Sequence, residues 1–334
     1  MDIKEIIRKY FNNSSDVLIT EIKGGAINAT YHIILNNGKE KKEYILQKMK
    51  SIFSPLIMED IEFITQYLSK KNFLIQKIVP TINGEKFIKD NDIWWRMLTF
   101  IPGQIFHSMP SVEHAKEAGK LMGEFQNLLT DYNYEFKFKL PHYHDTDFII
   151  TKLKNILTEK KETGKYLQLE NIATNVLLEY KNLPPNTSLP KRIIHGDLKL
   201  SNILFDEIST KALTLIDLDT LMHNTISVEL GDALHFWCMH GGEDTEKAEF
   251  NLNVYNASLD GYFSAAKFLT PEEKNSIPNG VKLITLELAA RFVIDAFEEN
   301  YFVLDSSKYK NLFEQNKKRA ENQFEFFKQF SQVF

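Results

Sequence analysis

The sequence predicts an α+β fold in two unequal lobes: a small antiparallel β lobe carrying one helix, then a larger, mainly helical lobe. Short segments rich in β-branched and aromatic residues crowd the first hundred residues. Beyond residue 104 the apolar spacing turns helical. A chain of 334 residues is also long for one core and comfortable for two lobes. The division is placed after residue 101, giving an N-terminal lobe 1–101 and a C-terminal lobe 102–334.

Each element has a local cause. VLITEI (17–22), TYHIIL (30–35) and EYILQKM (43–49) read as strands. KGGAIN and NNGKEKK join them, with the Gly and Asn that tight turns favour, so the three form a meander. Pro55 opens a helix on which Ile57, Ile61, Ile64 and Leu68 share one face. A strand pair, EKFIKDND and IWWRMLTF, leads to IPGQ (101–104), a predicted hinge. Helices are expected over 111–130, 146–160, 167–181, 227–241, 246–267, 280–299 and 308–330. Among them lie the loop NLPPNTSLPK (182–191) and a hairpin made of NILFD and ALTLIDLD.

Composition narrows the class. Forty basic against forty-five acidic side chains give a formal charge of −5, with no basic excess for nucleic acid. Cys238 is the single cysteine, so no intrachain disulfide can form and a reducing compartment is expected. The start, MDIKEIIRKYF, lacks the apolar core of a signal peptide, and no stretch reaches the ~18 apolar residues of a spanning helix. A water-soluble, cytoplasmic protein is expected. Nine histidines show no helical pair beside a carboxylate, and one cysteine builds no zinc knuckle.

Chemistry concentrates in IIHGDLKLSNILFD (193–206). With Asp197 in the loop before the hairpin, Asn202 at its first strand and Asp217 at the end of its second, the three side chains converge on one mouth. Phosphoryl transfer from a nucleotide requires such a set. Asp197 would accept the proton of the acceptor hydroxyl, and Asn202 and Asp217 would supply hard oxygens to Mg²⁺. Lys199 would reach the transferring group as a point charge. His195, before a buried loop, reads as a structural hydrogen-bonder. Gly24 and Gly25 of KGGAIN suit a phosphate-covering turn, where backbone amides approach the nucleotide.

HGDLKLSNILFD together with LIDLDT resembles the catalytic loop and metal motif of the aminoglycoside phosphotransferase and choline kinase superfamily, which has a protein-kinase-like fold. Within it the chain is most similar to the N-acetylhexosamine 1-kinases, through GGAINATYHI, YILQKMKSIFSP, PHYHDT, VELGDAL, GGEDT, LDGYF and ELAARFVIDAFEENYF. The resemblance implies ATP as donor, Mg²⁺ as cofactor and the anomeric hydroxyl of an N-acetylhexosamine as acceptor. It implies that Asn28 lies near the phosphates, that Asp197 binds the hydroxyl to be phosphorylated and that Arg291 contacts the sugar. It also implies that Asp232 hydrogen-bonds the catalytic-loop backbone. Three residues on, His235 stands where relatives commonly have arginine. Separately, HYHDT (142–146) offers further polar contacts to an acceptor, His144 among them, although two histidines in a loop also suit plain surface.

Some readings stay open. Where a kinase has its third-strand lysine, this chain has Gln47, with Glu59 on the next helix as the partner position; strand alternation turns Lys48 to the other face. A unit charge pair at ~4 Å and an effective dielectric near 20 is worth roughly 4 kcal/mol, so the absence matters. Either metal and Lys199 compensate in a working kinase, or the protein binds nucleotide without turnover. Trp94 and Trp95 read as core packing. Arg291 and Asp295 share a helix face and could pair with each other instead of with a sugar. An amino alcohol or aminoglycoside acceptor would need an acidic cleft; GGEDTEKAEF (241–250) offers acids, though its lysines suit a solvated segment.

Overall fold

In a computed structural model, residues 1–12, 16–22, 28–37, 40–49, 54–161, 163–184 and 189–334 are described. Helix α1 (Ile3–Arg8) precedes strands β1 (Val17–Ile22), β2 (Ala29–Asn37) and β3 (Glu40–Met49), which pair antiparallel in sequence order. After α2 (Ile57–Lys70) come β4 (Ile78–Val79), β5 (Ile88–Asp90) and β6 (Ile93–Thr99). The sheet runs β1-β2-β3-β6-β4, with β5 also on β6, so β6 is central. One face of this sheet packs on α1, where Ile33, Leu35, Leu46, Trp95 and Met97 meet Ile6, Ile7 and Tyr10.

The other face is unlike it. Gln47 and Arg96 are cross-strand partners there, looking toward α2. Lys48 points the opposite way, its Nζ 5.8 Å from the Trp95 ring centroid. Trp95 is buried in the sheet core, whereas Trp94 is half-buried against Phe87. The α2 stripe Ile57, Ile61, Ile64 and Leu68 is buried as its spacing predicts, at roughly 1.5–3 kcal/mol per side chain. It packs into the core of the helical lobe, with Met122, Phe125 and Phe205, rather than into the sheet's own cluster.

The chain then crosses Ile101–Gln104. Gln104 and Phe205 exchange both backbone hydrogen bonds at 2.8 Å, fastening this segment to the later hairpin. Gly103 permits that approach: a Cβ there would lie 2.8 Å from the Phe205 carbonyl oxygen. The helical lobe comprises α3 (Val112–Leu129), α4 (Thr146–Glu159), α5 (Gly164–Asn182), β7 (Arg192–Ile194), β8 (Ile203–Phe205), β9 (Ala212–Leu215) and β10 (Met222–Asn224). It continues through α6 (Ile226–Cys238), β11 (Met239–His240), β12 (Glu249–Phe250), α7 (Leu252–Ala265), α8 (Pro271–Glu298) and α9 (Leu312–Ser331). The fold is therefore α+β, an antiparallel sheet joined to a helical lobe.

Boundaries differ from the predicted ones where capping or pairing decides. The helix expected from 280 begins at Pro271, because Thr270 and Glu273 form a capping box and Pro271 fills a first-turn position. Pro278 is accommodated inside that helix. The segment expected as a helix from 246 instead places Glu249–Phe250 against β11, and α7 starts only after Asn251 accepts the N–H of Asn253 and Val254. Among the described residues, no helix is long and apolar enough to cross a membrane.

Candidate active site

The loop following β7 is held by its backbone. Two carboxylates project from buried α6 beneath it. Glu229 accepts the N–H of His195 at 2.8 Å and of Gly196 at 2.9 Å, and Asp232 accepts the N–H of Leu198 at 2.8 Å. The Trp237 indole donates to the Leu198 carbonyl, the Thr220 hydroxyl to that of His195, and the His144 ring bonds that of Gly196, each at 2.8 Å. Gly196 sits at φ +84°, and a Cβ there would lie 2.6 Å from the Thr220 carbonyl oxygen. Only glycine fits.

His195 is fully buried. Its Nδ1 accepts the Asp197 N–H and its Nε2 donates to the Ile216 carbonyl at 2.9 Å, a tautomer fixed by these partners. Burial pushes its pKa down, so the ring is a neutral strut between the loop and the end of β9.

Asp197 emerges partly exposed. Its carboxylate accepts from Lys199 Nζ at 2.6 Å and from Asn202 Nδ2 at 3.1 Å; the same Asn202 nitrogen reaches the Asp197 carbonyl at 2.8 Å. Burial works against the Lys199 ammonium, and the Asp197 carboxylate outweighs it and keeps the amine charged. With its nitrogen committed, Asn202 has Oδ1 left to offer.

Asp217, just past β9, lies in the left-handed region, φ 62° and ψ 59°, an unusual conformation for a non-glycine residue. Burial first, then the neighbouring Asp219 charge, pushes its carboxyl well above the usual range, an environment that a cation would relieve. Among the described residues no group of three or more His, Cys, Asp or Glu converges as a metal cage. One carboxylate and one amide oxygen suit Mg²⁺, which commonly takes one or two protein ligands and completes its shell with phosphates and water.

Asp219 is placed differently. It is buried, its Oδ1 2.5 Å from Arg96 Nη1 and its Oδ2 accepting from Asn28 at 3.1 Å. Arg96 also donates from Nε to Gln47 Oε1 at 2.8 Å, while Gln47 Nε2 approaches the Thr30 hydroxyl at 3.4 Å. The structure thus brings Gln47 and Asn28 into one network through two residues that the sequence does not single out. Glu59 is apart from it: its side chain turns outward and pairs with Lys137 rather than with Gln47. The inward acid of α2 is Asp60, which accepts Tyr134 Oη and the N–H of Lys137 and Phe138. Gly24 and Gly25 lie outside the described residues.

On the far side of Asp197, α8 presents Glu287 and Arg291. The Glu287 carboxylate accepts the Thr146 hydroxyl at 2.5 Å and lies 3.6 Å from His144 Nδ1. Burial alone would lower the His144 pKa; Glu287 overrides it and raises it to about 9. Arg291 donates from Nη2 to Tyr301 Oη at 2.5 Å, and its Nη1 is 4.0 Å from Glu287. It does not pair with Asp295, which caps the turn after α8 through the N–H of Asn300, Tyr301 and Phe302 and also accepts from Asn316. The raised phenol pKa of Tyr143 comes from burial first, with Asp197, Asp232 and Arg291 all close enough to act on it.

The GGEDT segment is anchored rather than solvated. Arg319 grips Asp244 with two bonds at 2.6 and 2.8 Å, and Asn322 holds the carbonyls of Glu243 and Thr245. Burial lifts the Glu243 carboxyl to about 7, against the pull of Arg319 and Arg291. His235 sits inside the helical core, bonded to Gln323, and burial lowers its pKa to about 4. Arginine there would bury a charge.

Residues 18–267, three quarters of the chain, match the profile of the phosphotransferase enzyme family. The chain belongs to that family. Solved structures share the fold. An amicoumacin kinase, solved in complex with AMP-PNP, Ca²⁺ and Ami, is 17% identical with a TM-score of 0.65, over 100% of this chain and 98% of that one. A microcompartment-associated aminopropanol kinase is 16% identical, TM-score 0.63, over 98% and 97%. An aminoglycoside phosphotransferase from Alicyclobacillus acidocaldarius is 13% identical, TM-score 0.62, over 100% and 96%.

Proposed function

We propose that this family member is an ATP- and Mg²⁺-dependent kinase acting on a small-molecule hydroxyl, specifically the anomeric hydroxyl of an N-acetylhexosamine. What supports the kinase reading is that Lys199 and Asn202 both bond the Asp197 carboxylate and that Asp217 lies close enough to act on the Lys199 charge. In this reading residues 1–101 form the nucleotide lobe, residues 102–334 supply catalysis and acceptor binding, and the reaction belongs in the cytoplasm, where ATP is made.

The acceptor hydroxyl lies against Asp197. As its oxygen attacks the γ-phosphorus, the bond to the bridging oxygen of ADP breaks and the hydroxyl proton passes to the Asp197 carboxylate. Lys199 offers its charge to the group in flight. Asn202 and Asp217 would hold Mg²⁺, which offsets the phosphate charge when bound. His195 and Asp232 hold the loop and touch no reacting atom. On the acceptor side, Arg291 favours an uncharged, oxygen-rich molecule: the planar guanidinium donors suit hydroxyl and acetamido oxygens, whereas the His144 side chain, 3% exposed and committed to the Gly196 carbonyl and to Glu287, holds the loop instead of meeting the acceptor.

One observation favours a second reading, an amine-bearing acceptor. Glu243 is a half-buried carboxylate close enough to feel Arg291 and Lys199, and it would receive an ammonium group in this reading. ADP release measured over N-acetylhexosamines, plain hexoses, choline, aminopropanol and aminoglycosides decides between them. The proposal expects a signal with N-acetylhexosamines that Asp197→Asn cuts by about 10²–10⁴-fold. Turnover with amines alone would overturn the sugar assignment. Tight nucleotide binding without turnover of any acceptor would make the protein a silent binder.

A further inference from the structure

Position 47 lacks the charge that a kinase normally carries on its third strand. Gln47 occupies the third-strand position and Glu59 faces outward to Lys137, so the usual lysine–glutamate pair is not formed by these residues. A buried cation is nevertheless present one strand away. Arg96, the cross-strand partner of Gln47, is 1% exposed, and its ion-pair partner Asp219 is 3% exposed. Burying two charges costs several kcal/mol per ion unless both are well paired. Here each is: Arg96 on Gln47 and Asp219, Asp219 on Arg96 and Asn28.

The pair also joins what catalysis must keep in register. Asn28 immediately precedes β2, Gln47 lies on β3 and Arg96 on β6. Asp219 lies in the short turn Leu218–Thr220 that comes after Asp217 and its left-handed backbone. Three strands of the sheet are thereby bound to the turn that carries the metal-facing carboxylate.

We propose that Arg96 is a positioning residue that has taken over the task of the third-strand lysine: through Asp219 it fixes the Asp217 turn against the nucleotide-binding face of the sheet. Gln47 is then a complement rather than a defect. An amide both accepts from the guanidinium and avoids the like charge that a lysine at 47 would set beside it. The inference rests on the phosphotransfer reading, although it is indifferent to the acceptor.

The test is nucleotide binding, measured by calorimetry with AMP-PNP in Mg²⁺ and again in EDTA, together with steady-state kinetics and circular dichroism. Arg96→Met is expected to weaken Mg²⁺-dependent binding by about tenfold or more, in keeping with a charged hydrogen bond removed. Arg96→Lys should recover part of it, and Gln47→Lys should weaken binding as well. Asp219→Asn should weaken binding comparably, and the double variant Arg96→Met/Asp219→Asn should be no worse than the poorer single one. The acceptor KM should stay within about twofold. If Arg96→Met does not fold, Arg96→Lys and Asp219→Asn carry the same comparison. Folded Arg96 variants that bind nucleotide as tightly as wild type and lose only melting temperature would overturn the inference, leaving the kinase reading intact. Wild-type protein that binds no nucleotide would overturn both.

Discussion

Replacing His144 by glutamine removes a buried positive charge while keeping a donor for the Gly196 carbonyl. Glu287, 3.6 Å from the ring, raises the imidazole pKa to about 9 against an ordinary value near 6.5. A raised folded-state pKa contributes stability that is fully present below the unfolded value and is lost as pH rises through the folded one. The difference corresponds to about 3 kcal/mol at pH 6, fading between pH 6.5 and pH 9. For one cooperative unit of 334 residues, that is roughly 4 °C in Tm. Melting curves of wild type and His144→Gln between pH 6 and 10 should therefore differ by about this much in mild acid. They should converge by pH 10, where the wild-type ring is neutral and Glu287 has lost the same partner in both. Curves that stay parallel across this range would refute the reasoning.

Three further outcomes are expected. Gly103→Ala should push a methyl group to within 2.8 Å of the Phe205 carbonyl oxygen and cost about 1–3 kcal/mol, read by thermal or urea denaturation. Glu229→Ala should leave the buried N–H groups of His195 and Gly196 unpaired, costing about 1–3 kcal/mol each; denaturation should show it more destabilised than Asp197→Asn, with turnover lost as well. Arg291→Gln should raise the acceptor KM about tenfold or more and leave the nucleotide KM unchanged, since the side chain lies on the Tyr301 side of the site; initial rates with each substrate varied separately measure this.

Elements with a single local cause are the legible ones. The α2 stripe and the meander come from spacing and turn residues, and the polar loop HGDLKLSN is readable because its working residues are close in sequence. The features that escape a sequence reading involve partners far away in the chain. Arg96 looks like one more residue of a mixed strand until Asp219, 123 positions later, is folded onto it. Glu229 sits in an apolar helix without any local sign of the two N–H groups that it serves. Glu59 and Asp60 are adjacent acids, and only the path of residues 134–138 decides which of them turns inward. The start of α8 is hidden by Pro278, whose usual effect on a helix is outweighed by the capping box and by burial along the rest of that helix. GGEDT looks solvated because Arg319 and Asn322, its anchors, belong to the final helix.

The attachment of α2 has a consequence for how the molecule can be divided. By sequence the helix belongs to the first hundred residues; by contact it belongs equally to the helical lobe. Its stripe enters the helical core, Asp60 grips residues 134–138, and Tyr67 stacks on Tyr132 with ring centroids 4.0 Å apart. A fragment cut at the hinge would carry a bare apolar helix face in one half and leave an open groove in the other. The boundary suggested by composition is thus not expected to be a boundary of cooperative unfolding. The two lobes should melt as one transition, and any opening of the cleft must carry the sheet over a helix that stays behind.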